Sequence, residues 1–599
     1  MRPLARANHF FVTYRWLFVP GLAYTVIAAG FAIAIPVVVR QAVDSIPRYV
    51  TLYRQFQGTE VQGQLFQDLF FTLLFFGLIV TGLSLISGLF SFLMRQTVVV
   101  ASRHIEFDLR NKLYNHLQTL SRDFYHSAAT GDLITRSTSD IEHVRRYIGP
   151  AIMYITRAVV IVVVAITVML IISPKLAFYA LLPMPLLAWA VFFLSKHLHI
   201  RSEKLQRQYS KLTSRVQEAL SGIRVLKAYT RERAEAEAFE TESTTYKERM
   251  LGLAFIDALY RPVFVLVVGL SQILIVWVGG LLVVEGVITV GNIAEYMIYV
   301  ALMTWPVAAV GLVLSMVQRA SASMERISAV LDAKPSIADT DITNPKNDEI
   351  QGRITLENVS FRYAPELPWA LENLSFEIPT GETLAIIGRT GAGKSTLVEL
   401  IVRLIDPTRG TVRIDGHDLR TVPLEVLRGA VGYVPQEIFL FSDSVRDNIA
   451  FGRMGASMED IEQAAYEAEV LDNVMDFPKG FDTSVGERGV TLSGGQKQRT
   501  TIARALVRNP RILVLDDALS SVDTTTEHRI LGHLRRRFGK QTLVIVSHRI
   551  STVQNADLIL VLEHGRISQR GTHAELVAQD GLYASLHRRQ QLEAELETL

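Results

Sequence analysis

Cysteine is absent from the 599 residues, which excludes disulfide staples, thiolate metal sites and cysteine nucleophiles but says little about compartment. Charge excess of either sign is missing too. The 61 basic side chains face 59 acidic ones, a net charge of +2, so there is no global nucleic-acid footprint. Acids are absent ahead of Asp44, whereas Arg2, Arg6 and Arg15 stand in that stretch. A cleaved signal peptide or an organellar transit peptide favours such a start. The apolar run Leu17–Val39 lacks a convincing cleavage site, however, and serine is missing from the opening segment. The reading that fits is a short amphipathic helix on the cytoplasmic face, leading into a first membrane span.

What is abundant is apolar surface. A hydrophobic share of 49% and a mean hydropathy of +0.25 exceed what a soluble chain of this length usually shows. The length itself implies two or three folding units. Spans need about 20 mostly apolar residues, and the runs 17–39, 69–94, 147–172, 175–195, 262–284 and 293–317 qualify. Ser173, Pro174 and Lys175 join the third to the fourth as a tight hairpin, and the turn near Glu285–Asn292 holds no basic residue. The connections 95–146 and 196–261 are long and basic, so both face the cytosol and the N-terminus lies inside. Arg40, Arg48 and Arg54 in segment 40–68 weaken that pattern without reversing it.

The long connections have apolar residues at helical spacing and few breakers, so they read as spans prolonged into the cytosol. Each is interrupted by a short kinked piece, SRDFYHSAATGDL (121–133) and SGIRVLKAY (221–229). Two helical extensions with a bend at the far end form a lever. From about residue 320 a helix tail runs into a polar, proline-bearing linker, and then strands alternate with helices. That alternation predicts an α/β domain with a largely parallel sheet. The boundaries expected are 1–320 for the membrane domain, 321–350 for the linker, 351–585 for the α/β domain and 586–599 for a last helix, either a surface element or a dimer contact.

GRTGAGKST (388–396) follows the strand ETLAII and opens a helix, fitting the phosphate-cradling pattern. Gly388, Gly391 and Gly393, with Arg389, Thr390 and Ala392 between them, let backbone N–H groups wrap phosphates at a helix N-terminus. Lys394 supplies charge, the Ser395 hydroxyl can coordinate Mg²⁺, and Thr396 completes the motif. ILVLDDALSSVD (512–523) is an apolar strand ending in two carboxylates. Asp516 would support Mg²⁺ and Asp517 would orient the attacking water.

LSGGQ (492–496) completes a resemblance to the ATP-binding cassette superfamily, specifically to exporters with a membrane domain fused ahead of the cassette. It covers essentially the whole chain. It implies a six-span α-helical domain of the type IV exporter fold joined to an α/β P-loop nucleotide-binding domain, using ATP and Mg²⁺. By that resemblance Tyr363 stacks on adenine, although a core strand tyrosine is the alternative. Gln436 touches Mg²⁺ and water, VGERG (485–489) contacts the levers, Asp523 bridges the two nucleotide sites, and His548 meets the γ-phosphate. The pieces around Phe124 and Arg224 match coupling helices. Two cassettes close head-to-tail, with ATP between the phosphate loop of one chain and the signature backbone of the other, the element that Ser493, Gly494, Gly495 and Gln496 form here.

One position departs from the family, which places Glu where this chain has Asp517. Aspartate is one methylene shorter, so its carboxylate falls about 1.5 Å short of the water. Misplacement of that size can slow turnover on the order of 100-fold while sparing ATP binding. With an intact signature, this resembles the degenerate-site subunit of a heterodimeric exporter; the rival is a homodimer with two slow sites. An ATP-gated channel on the same fold is a further alternative, and no nucleic-acid partner is expected. For the substrate side, Arg157 either lines a cavity or reaches the headgroups, and Glu295 is expected at the outer interface. Trp305-Pro306 should kink the sixth helix. Phe264, Tyr296, Met297, Met303 and Trp305 suit a bulky apolar substrate and lipid-facing packing equally. A bacterial inner membrane is the expected location.

Overall fold

In the computed structural model the described residues are 3–344, 349–486, 489–537 and 541–597. They form two compact units, one of Met1–Thr119 with Ala128–Ala333, the other of Leu120–Ser127 with Lys334–Leu599.

The first unit holds six helices long and apolar enough to cross a membrane: Arg15–Gln55, Glu60–Thr119, Thr130–Ile172, Pro174–Ser221, Glu232–Val284 and Val290–Leu331. Each contains one of the expected spans and overruns it. The fifth, at 53 residues, is roughly 80 Å long at 1.5 Å per residue, far more than a hydrocarbon layer of about 30 Å requires. The sixth continues past the expected boundary at 320 to Leu331. In the segment Glu60–Met94 only Met94 is buried, while Phe66, Phe70, Phe75, Leu78 and Leu85 are exposed. Such all-round apolarity suits lipid.

Local chemistry sets the turns. Ser173 caps the fourth span through its side chain, which accepts from the Leu176 N–H at 3.3 Å, and Pro174 occupies the first turn, where its missing N–H is not needed. Thr289 and Asn292 form a capping box at the start of the sixth helix. At the N-terminus Leu4 and Ala7 are buried, and Arg6 grips Asp332 with two hydrogen bonds of 2.9 and 2.8 Å. The opening segment is therefore tied to the end of the last span helix.

Glu295, expected at the outer interface, is packed within protein. It is fully buried, with Arg40 Nη1 at 3.3 Å, Asn292 Nδ2 at 3.3 Å and the Tyr299 hydroxyl at 3.2 Å. A buried carboxylate is tolerated only when paired and hydrogen-bonded, and these three groups supply that. Tyr296 and Met303 belong to the core with Ala29, Ile33, Met169 and Ile275, so packing accounts for both; Trp305 is exposed. Arg157 and Gln272 are half-buried. The sixth helix passes through Pro306 without interruption.

The second unit contains two sheets. The first is antiparallel, in the order β2 (Leu371–Ile378), β1 (Ile354–Phe361), β4 (Arg409–Ile414), β5 (His417–Asp418). The second has the order β10 (Arg566–Gly571), β9 (Leu558–Glu563), β3 (Thr383–Gly388), β8 (Thr542–Val546), β7 (Ile512–Asp516), β6 (Val431–Val434). It is parallel apart from β10. The first kinked piece, as the helix Arg122–Ser127, belongs to this unit. The second, Ile223–Ala228, belongs to the membrane unit. The last helix starts at Leu582, ahead of the expected 586.

Candidate nucleotide site

Strand β3 is almost wholly buried and delivers the chain to Gly388, where a Cβ would lie 2.3 Å from the Leu562 carbonyl oxygen on β9. Only glycine fits so close an approach. The loop then turns through Gly391 and Gly393; the latter, at φ +95°, caps the helix Lys394–Ile401. Arg389 and Thr390 are exposed and Ala392 is buried. Lys394 is 8% exposed, and its ammonium donates to the carbonyls of Gly388 at 2.9 Å and Arg389 at 3.0 Å. Burial pushes its pKa down, and the Asp517 and Asp516 carboxylates oppose that shift. A largely dehydrated cation inside a glycine loop at a helix N-terminus is suited to phosphate.

Strand β7 is buried throughout and ends at Asp516, 2% exposed. Burial raises the Asp516 pKa; the neighbouring Ser395 hydroxyl works the other way. A hydroxyl beside a carboxylate is the hard-oxygen pair that Mg²⁺ takes when phosphates complete its shell. Among the described residues no group of three His, Cys, Asp or Glu could hold a metal by itself. The residues thus fit a metal that arrives with its nucleotide.

Asp517 sits at φ +52°, in the left-handed region that Asp tolerates better than most side chains, and its N–H donates to the Val546 carbonyl at 3.0 Å. Its carboxylate is near enough to act on both Lys394 and His548. His548 is exposed, and partial desolvation and the Lys394 ammonium push its pKa below 6.5. Gln436 is exposed just past β6. Phosphate loop, Asp516, Asp517, His548 and Gln436 thus gather at the carboxyl edge of four parallel strands, where open α/β sheets bind ligands.

Tyr363 is 55% exposed, so it is no core tyrosine. Its hydroxyl lies 2.8 Å from Thr396 Oγ1 and its ring meets Phe361 edge-on. The signature residues pack elsewhere: Ser493 caps the helix Gly494–Leu506 in a box with Gln496. That helix packs into a core distinct from the one holding Leu397, Val398 and Ile401. Asp523 caps the helix Thr524–Arg537, accepting from the Thr526 N–H at 2.8 Å, which lowers its pKa. Of VGERG, Glu487 and Arg488 lie outside the described residues.

Sequence reasoning missed the side chains that tie these parts together. Gln498, on the signature helix, donates to Ser520 Oγ at 2.9 Å and accepts from the Ser521 N–H at 2.8 Å. Arg549, next to His548, donates to the Val522 carbonyl at 2.9 Å, the Ser520 carbonyl at 3.1 Å and the buried Glu527 at 2.7 Å. The loop before Asp523 therefore joins the signature helix to the histidine. Their positions just after LSGGQ and SH were the available signal.

Residues 18–307 match the ABC transporter transmembrane region, and residues 371–520 match the ABC transporter family. A probable multidrug resistance ABC transporter ATP-binding/permease protein, YheI of Bacillus subtilis, is 38% identical over 81% of this chain and 83% of its own length. The multidrug resistance-like ATP-binding protein MdlA of Escherichia coli is 38% identical over 85% and 86%. The structure of a bacterial Atm1-family ABC exporter with ATP bound superposes with a TM-score of 0.77 at 28% identity, covering 97% of this chain and 99% of the other. With membrane helices and cassette on one polypeptide, the chain belongs to the ABC transporter family as an exporter half-transporter whose transport is coupled to ATP hydrolysis.

Proposed function

We propose that the chain exports or flips a hydrophobic or amphipathic substrate by alternating access, as one half of a dimer. ATP binding closes two cassettes and turns the cavity outward, and hydrolysis resets it. The observation that supports this reading is that the phosphate-loop helix and the signature helix pack on different cores of one chain, which suits a site shared between two chains. Lys394 holds the phosphates, Ser395, Asp516 and Gln436 hold Mg²⁺, Tyr363 meets adenine, and Ser493–Gln496 serve the other chain's nucleotide. Bound Mg²⁺ neutralises developing phosphate charge. The exposed Val225 and Tyr229 at the second kinked piece suit contact with the partner's cassette. The multidrug names of the relatives favour a drug-like substrate.

Asp517 supports a finer reading: a hydrolysis-poor site here, paired with a partner that carries Glu. Brisk Asp517-dependent ATPase activity of the purified chain alone would instead establish a homodimer. The basic connections favour an N-terminus and cassette in the cytoplasm, and the bacterial relatives favour a bacterial inner membrane. Uptake of labelled amphipathic compounds into inside-out vesicles tests transport: the proposal expects ATP-dependent accumulation that Lys394→Ala abolishes. ATP-dependent conductance without accumulation would point to a channel.

A further inference from the structure

The C-terminal helix Leu582–Glu597 reaches the loop that carries His548. One carboxamide spans that loop: Gln590 Nε2 donates to the His548 carbonyl at 2.8 Å, and Gln590 Oε1 accepts from the Ile550 N–H at 2.8 Å. The Ile550 N–H opens the short helix Ile550–Val553 and has no intrahelical acceptor. The amide's orientation is fixed by its partners, since a carbonyl only accepts and an N–H only donates. The helix is anchored independently of this bond. Tyr583 is fully buried in a core with Ile387, Ile550, Val553 and Leu576, and its hydroxyl lies 2.7 Å from His573 Nδ1. On the other side Arg549 fastens the same loop to the Val522 and Ser520 carbonyls. The backbone bearing the histidine is therefore held from two directions, by the loop before Asp523 and by the C-terminal helix.

We infer that Gln590 is a positioning residue for His548: the docked C-terminal helix fixes where the imidazole stands, and so sets the rate of hydrolysis at this chain's phosphate loop. The inference rests on the proposed role of His548. A misplacement of about 1 Å can cost roughly 100-fold in rate, and the two hydrogen bonds act directly on the backbone that carries the ring.

The test uses the full-length chain in its purified transporter, in an Asp517→Glu background that brings turnover at this site into measurable range, with any distinct partner site disabled. Gln590→Leu should lower kcat roughly 10- to 100-fold, leave KM for ATP within about twofold, and speed amide exchange at Ile550. Gln590→Glu keeps the acceptor for Ile550 but sets a carboxylate against the His548 carbonyl, and should also lower kcat. Accelerated exchange at Ile550 with kcat within about twofold of the parent overturns the inference, as does unchanged exchange, or a fall in activity that follows lost ATP binding. Failure of the parent to bind Mg·ATP would strike the functional reading instead; the exchange comparison still decides whether Gln590 holds the loop.

Discussion

Arg122, on the short helix Arg122–Ser127, forms an ion pair with Glu399, whose side chain is only 7% exposed and which lies one turn beyond Ser395 on the phosphate-loop helix. Glu399 in turn acts on Asp516, raising its pKa. An interruption of a span helix is thus joined by charge to the metal-supporting carboxylate. Arg122→Ala strands a buried carboxylate, and a loss of about 1–3 kcal/mol is expected. Glu399→Gln in the same chain should restore most of it, giving a large coupling energy in a double-mutant cycle of thermal unfolding. Additive losses would show that the pair contributes little.

Asp517→Glu lengthens the carboxylate by one methylene toward the attacking water. Turnover at this site should rise on the order of 100-fold, with ATP affinity within about twofold. Asp517→Asn should fold normally, because Asn also tolerates the left-handed backbone at φ +52°, and should abolish the residual turnover. Single-turnover hydrolysis with the partner site disabled measures both.

Glu295→Ala removes the acceptor for Arg40, Asn292 and Tyr299 at once. Breaking a buried pair from one side costs about 3–5 kcal/mol; Arg40 keeps some access to water, at 28% exposure, so the low end is expected. Tyr299→Phe removes one hydroxyl proton, shared between Glu295 at 3.2 Å and the Ile33 carbonyl at 3.3 Å, about 1 kcal/mol. Unfolding of the detergent-solubilised protein should rank Glu295→Ala well below Tyr299→Phe.

The His548 pKa lies below its ordinary 6.5 in the folded chain, chiefly through partial desolvation of an otherwise exposed residue and next through Lys394. The unfolded chain therefore takes up a proton first as pH falls. The stability that this group contributes is fully present above pH 6.5 and is lost as pH drops through 6.5 toward the folded pKa. His548→Asn should flatten that part of the stability profile.

Six spans were legible because about 20 apolar residues in a row have few other uses, and the phosphate loop because glycine spacing, lysine and helix start coincide. The burial of Glu295 was not legible. Its partner Arg40 comes from the first span, and no local pattern announces a contact so distant in sequence. The antiparallel sheet was missed although β2 alternates in burial while β3 is buried almost throughout; which strands pair depends on contacts distant in sequence. The bonds of Arg549 and Gln590 depend on loops meeting in space. The stretch 586–599 read as a surface element or dimer contact, and Leu592 and Leu596 in it are exposed; the helix begins earlier, at Leu582, and Tyr583 there is fully buried. Its N-terminal half serves the core.

Equilibrium binding of Mg·ATP to the purified full-length chain, compared with Lys394→Ala, tests the account most directly. Saturable, Mg²⁺-dependent binding that weakens at least about tenfold on loss of the ammonium, the scale of one charge-assisted contact, is the predicted result. Binding that is absent from the parent, or indifferent to Lys394→Ala, would contradict it.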